Sequence, residues 1–175
     1  MRRLLPLLIA CSNAATPGGD APPTVHDAPP NGDATDLDAS SIDAANLRIL
    51  VVNEVAAGEN PDWFEIVNAT TAPIQLADFV FVDAQDDFAK AVPFPARSLG
   101  PGAFATQDVD GTIVPFKLAA DEELWVYRAS DHALSDGVDW NAGDSPTGGS
   151  YARIPDTFAP FVTTMHPTKG APNQP

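Results

Sequence analysis

From Leu47 to the C-terminus, apolar residues come in short runs broken by Gly, Pro, Asn and Asp, and no 3.6-residue period persists over the dozen residues a helix needs. The pattern predicts strands at 47–56 (LRILVVNEVA), 62–68 (DWFEIVN), 73–83, 90–94, 102–107, 112–118, 122–128 (EELWVYR), 132–140, 150–154 and 161–164. Most of these starts are spaced by about 8 to 12 residues, as in a β-sandwich or barrel, so the expected fold is all-β over 47–175. Pro93, Pro95 and Pro115 lack the N–H a central ladder requires and are expected at edges or bulges.

The stretch DWFEIVN carries two carboxylates and looks most like a site. In an extended chain, Asp62, Phe64, Ile66 and Asn68 share one face, and Trp63, Glu65 and Val67 the other. Asp62 and Glu65 therefore cannot act as an acid/base dyad. Phe64 and Ile66 read as core, with Trp63 over the outer face or at an edge, Glu65 beside it, and acidic side chains turned to solvent.

Composition adds compartment and partner class. A hydrophobic share of 44% supports one ordinary core. A net charge of -15 repels phosphate backbones and anionic headgroups, which excludes nucleic acid as a partner and favours cations. Residues 12–46 hold six aspartates, no Lys or Arg and no aromatic residue, and read as a disordered Pro/Ala/Asp-rich tether on which His26 has no fixed geometry for a metal. The single cysteine, Cys11, follows Arg2, Arg3 and the apolar run LLPLLIA. Leu8-Ile9-Ala10-Cys11 resembles a bacterial lipobox, so residues 1–10 are expected to be a lipoprotein signal peptide and Cys11 the lipidated residue. Ser12 after it fits the outer membrane or cell surface.

Candidate chemistry is sparse. Asn53 and Glu54 sit at a strand end, suited to bracing a turn or binding a ligand, and with Asp62, Trp63 and Glu65 they form the candidate binding set. Asp83, Asp86 and Asp87, near Glu59 and Asp62, offer hard oxygen ligands for calcium, without the spacing of an EF-hand. Asp108-Val109-Asp110-Gly111 is a fragment of a calcium loop but a better hairpin turn. His132 and His166 lie in no HExxH or HxH pattern. Arg153 and Asp156 suggest an ion pair bracing the last loop, or an anion site. Trp125, Trp140 and Tyr127 read as core or edge cover, with carbohydrate stacking as the alternative. No catalytic constellation emerges. The expected role is a non-catalytic binding or scaffolding module with an envelope or surface protein partner; the alternative is a calcium-dependent adhesion or carbohydrate-binding module.

VVNEVAAGENPDWFEIVNATTAPIQLADFVFVD resembles the opening of a lamin tail domain, with an Asn-Glu pair ending the first strand and a DW-x-E-hydrophobic-x-N strand after it. FKLAADEELWVYR, SYARIPD and MHPTKGAPN are similar to later parts of that family, the last to its closing Thr-Pro-Gly-x-x-Asn. Phe79 stands where Trp is usual, and Lys169 where Pro is usual. The resemblance implies an immunoglobulin-like β-sandwich, and membership in a family whose bacterial members look like modules of exported or surface proteins.

Overall fold

Alternation becomes strand wherever a neighbouring chain segment answers its hydrogen bonds. The computed structural model describes residues 48–175; the signal-peptide, Cys11 and tether readings lie outside the described residues. In chain order the strands are β1 (Leu50–Ala56), β2 (Asp62–Asn68), β3 (Ile74–Gln75), β4 (Phe79–Val82), β5 (Val92–Pro93), β6 (Ser98–Leu99), β7 (Phe104–Val109), β8 (Glu122–Arg128), β9 (Leu134–Trp140), β10 (Ser150–Arg153) and β11 (Phe161–Thr164). A five-stranded sheet, ordered β11-β10-β1-β2-β7, packs on a four-stranded sheet, ordered β5-β4-β8-β9, and β3 pairs with β6 as a two-stranded ribbon. Every pairing among the described residues is antiparallel, and they form an all-β sandwich.

Phe64 and Ile66 of the first sheet meet Phe81, Leu124, Val126 and Trp140 of the second in one buried cluster. Phe64 and Phe81 lie edge to face at 5.0 Å, the arrangement ring quadrupoles favour. Trp140 is fully buried and donates its indole N–H to the Ala119 carbonyl at 3.0 Å, so the largest core side chain leaves no orphan donor.

Several predicted strands are corrected. The 73–83 run is broken by a 3₁₀ turn at Leu76–Asp78, which passes the chain from the small ribbon into the four-stranded sheet. The 112–118 run forms no strand, although Val114, Phe116 and Leu118 are buried in alternation. It covers the core without a ladder partner, and Pro115 lacks the donor to make one. The Asp108–Gly111 turn is accordingly not a hairpin: Asp110 Oδ1 accepts the N–H groups of Thr112 and Ile113. Strand β6 was not anticipated. Pro93 lies on β5, an edge strand, as its missing N–H requires.

Strand β1 contains the decisive irregularity. Leu50, Val52 and then Val55 face the core, and the register with β2 shifts between Val52 and Glu54. Strict alternation from Leu50 and Val52 would have driven Glu54 into the core; the bulge at Asn53 puts it on the outer face instead.

β10 pairs with β1 only at Glu54 and Val55, which leaves the first half of β1 without a ladder on that side. Side chains replace it. Ser135 Oγ accepts the Leu50 N–H and donates to the Leu50 carbonyl, both at 2.9 Å. Asp136 accepts the Val52 N–H at 3.0 Å, and Arg153 Nε donates to the Val52 carbonyl at 2.9 Å. The two sheets are thus joined at a corner by side chains of β9 and β10.

Gly137 of β9 faces Trp125 of β8 across the ladder, and a Cβ there would lie 2.1 Å from Trp125 Cε3. The indole fills the space a side chain would take. Gly137→Ala is expected to displace the ring and cost about 1–3 kcal/mol, read as a lower urea midpoint with altered tryptophan emission. An unchanged midpoint would show that the ring is not seated on this glycine.

Candidate functional site

Asn53 and Glu54 of β1 and Glu65 of β2 converge, but not as a solvent-facing surface. Glu54 and Glu65 are Cα partners on the outer face, and each is 0% exposed. The expectation that these acidic side chains face water is therefore corrected. Residues 165–175 lie across them, and backbone N–H groups of that strap bind the carboxylates directly.

Glu65 takes an N–H of Asn53 Nδ2 on Oε1 at 3.0 Å and the Gly170 N–H on Oε2 at 2.7 Å. Glu54 takes the Ser150 hydroxyl on Oε1 at 2.5 Å and the Thr168 N–H on both oxygens at 3.2 Å. Asn53 Nδ2 also donates to Asp156 Oδ1 at 2.9 Å, and Asn53 Oδ1 accepts the Thr157 N–H at 2.9 Å. Asn173 donates its N–H to Asp156 and its side-chain amide to the carbonyls of Asn53 and Arg153.

Burial, more than any neighbour, pushes the Glu65 carboxyl up to about 7, with the charges of Glu54 and Asp156 adding to it against the bonds from Asn53 and Gly170. Burial likewise raises Glu54, opposed by its bonds to Ser150 and Thr168. Two carboxyls this close titrate as a pair rather than singly.

Asp62 does not join them. Half-buried at the start of β2, it lies against the Leu118 N–H and the charge of Lys117, and burial raises it above the ordinary carboxylate range. Trp63 is buried on the outer face, with Lys169 Nζ 5.4 Å from its ring centre and paired with Asp108 at 2.5 Å.

Arg153 is not the partner of Asp156. Its guanidinium turns toward the β1 corner, pairs with Asp136 at 3.1 Å and lies 4.3 Å from the Phe161 ring centre, while Asp156 faces Asn53 and Asn173. Burial raises Asp136 and lowers Arg153, each outweighing the pairing. The ion pair therefore closes a corner at an electrostatic cost rather than supplying stability by attraction alone.

Two of the three calcium candidates, Asp86 and Asp87, are engaged by neighbours. Tyr127 donates its hydroxyl to Asp86 at 3.0 Å and accepts the Asp86 N–H at 3.1 Å, while Asp87 pairs with Lys90 at 3.2 Å. Asp83 Oδ1 is buried without a partner among the described residues. No group of three or more His, Cys, Asp or Glu side chains is placed to hold a metal among the described residues. His132 stacks on Phe88 at 3.9 Å, and the backbone N–H of His166 is accepted by the Thr164 hydroxyl. Trp140 and Tyr127 are buried, and Trp125 is half-buried over Gly137.

Two open depressions, of about 440 and 360 Å³, lie elsewhere: one is bordered by Pro61, Pro95, Gln107 and Ile113, the other by Ala77, Asp78 and Arg128. Sequence reasoning missed Ser150, Thr168 and Gly170 as partners of the two glutamates, and Asp156 and Asn173 as partners of Asn53. Their one sequence signal was that they fall within SYARIPD and MHPTKGAPN, stretches quoted for the family resemblance.

No protein-family model, curated protein or solved structure matches the chain.

Proposed function

We propose that this chain is a non-catalytic binding or scaffolding module of the lamin-tail type, lipid-anchored to a bacterial envelope through Cys11. The observation that carries the reading is where the chemistry-bearing side chains go. Asn53, Glu54, Glu65, Asp156 and Asn173 each bond to backbone or side chains of their own chain, so their chemistry is engaged in holding the strap and the β10–β11 loop to the sheet. The same network supports the family reading. Asn53-Glu54, the glutamate of DWFE, SYARIPD and the Thr-x-Gly-x-x-Asn ending are far apart in sequence, and they meet in one hydrogen-bonded seam. A resemblance spread over separate weak positions gains weight when those positions turn out to serve one purpose.

The anchor reading rests on the basic start, the short apolar run and the tetrad ending at Cys11. Cells fed an alkyne palmitate analogue are expected to label the wild-type chain and not Cys11→Ser; equal labelling would remove the anchor. Used as bait in envelope extract, the full chain is expected to retain a saturable protein partner. Hydrolysis of an envelope substrate by the purified chain would overturn the non-catalytic reading.

A further inference from the structure

The Thr168 hydroxyl has one hydrogen and faces two oxygens. The Asn173 side-chain nitrogen donates to the carbonyls of Asn53 at 3.1 Å and Arg153 at 3.0 Å, which fixes its oxygen as the atom facing Thr168 Oγ1 at 2.6 Å. An amide oxygen only accepts, so the single hydroxyl hydrogen of Thr168 is committed to it. Thr168 Oγ1 also lies 3.0 Å from Glu54 Oε2. That second contact is a hydrogen bond only if the Glu54 carboxyl supplies the hydrogen. Glu65 is the opposite case, because both of its oxygens face N–H groups, which cannot accept. One proton on the pair, seated on Glu54, satisfies all these atoms. Two adjacent charges on these buried carboxylates do not.

We propose that residues 165–175 form a proton-controlled latch, tight while the Glu54–Glu65 pair keeps one proton and loosened when the pair releases it. The other charged and titratable groups at the seam do not neutralise the pair. Asp156, from the β10–β11 loop, adds like charge; Lys169 of the strap is paired with Asp108 of β7; Arg153 of β10 is turned to Asp136; His166 of the strap is exposed. Loosening would uncover the outer face of β1 and β2, including Trp63. The inference rests on the seam alone and stands whether or not the binding reading holds.

The direction follows from linkage. Closing the strap raises both carboxyls above the ordinary value of 4.5 that an opened, solvated strap restores, and because the two titrate as a pair, the rise to about 7 at Glu65 belongs to their shared proton, whichever oxygen seats it. The closed strap thus binds the proton more tightly. It is most secure below about pH 4.5, weakens by up to about tenfold per pH unit as pH rises toward 7, and is weakest beyond.

Hydrogen exchange on the full chain between pH 5 and 8, corrected for intrinsic rates, tests this through the Thr168 and Gly170 amides. Their protection is expected to fall by about tenfold per pH unit between pH 5 and 7 while that of β8 amides holds. Glu54→Gln, whose amide donates to Thr168 without titrating, is expected to flatten the profile, and His166→Gln to leave it sloping. Carboxyl carbon shifts of the wild-type chain give a reading that needs no variant: one of the two glutamates should titrate near neutrality. A flat wild-type profile, a slope surviving in Glu54→Gln, a slope abolished by His166→Gln, or two ordinary titrations would each overturn the latch.

Discussion

Arg153→Ala is expected to lower the unfolding free energy by about 3–5 kcal/mol at pH 7, the range for breaking a buried pair from one side. The guanidinium serves three partners at once: the Val52 carbonyl at 2.9 Å, the Ala159 carbonyl at 2.8 Å and Asp136 at 3.1 Å. Alanine leaves two carbonyls unserved and Asp136 with only the more distant Arg48, at 3.6 Å, as a counter-charge. The deficit should shrink as pH falls, because Asp136, already raised by burial, then escapes its charge by protonation. Arg153→Met combined with Asp136→Leu should recover only part of the loss, since the N–H and carbonyl of Val52 would both stay unpaired at the corner. Urea denaturation at pH 5 and pH 7 measures both effects. A single-variant loss under about 1 kcal/mol would show that the corner is held by packing alone.

Phe81→Ala should be comparably severe, about 3–5 kcal/mol, for a different reason. Phe81 is fully buried and touches three other rings, with centroids at 5.0 Å to Phe64, 4.8 Å to Phe94 and 5.9 Å to Phe116. These rings come from β2, β4, the segment after β5 and the strandless 112–118 cover, so the void would open where the two sheets and their cover meet. The close packing around it limits collapse, and the cavity adds its cost to the lost transfer energy. The loss should be insensitive to pH, unlike that of Arg153→Ala, which makes the two variants mutual controls in one titration of stability.

The expected positions of Phe64, Ile66 and the flanking Trp63, Glu65 and Val67 match the structure because β2 is regular and period two suffices. Alternation failed in two instructive ways. At 112–118 it marked burial without a strand, since alternate apolar residues can line a cover that pairs with nothing. In β1 it could not foresee the bulge at Asn53, because an added residue leaves no mark in composition and only the pairing with β2 reveals it. The outer face was read as wet for a related reason. A polar residue on an outward face says that it leaves the core, not that nothing else lies on top of it.

The class of the fold was legible in the chain by itself: short alternating runs, turn residues between them, prolines kept to an edge or to strandless segments, and enough apolar content to fill one sandwich. These are local or summed properties, and nearest-neighbour geometry is enough to express them. The seam was decided only by tertiary structure. Glu54 and Glu65 meet because a bulge turns one of two neighbouring strands, and they are dry because a strap more than a hundred residues along the chain from either lies over both. Burial and hydrogen-bond partnership are properties of such long-range juxtaposition, and the ionisation of these carboxyls follows from them rather than from the residues' own chemistry.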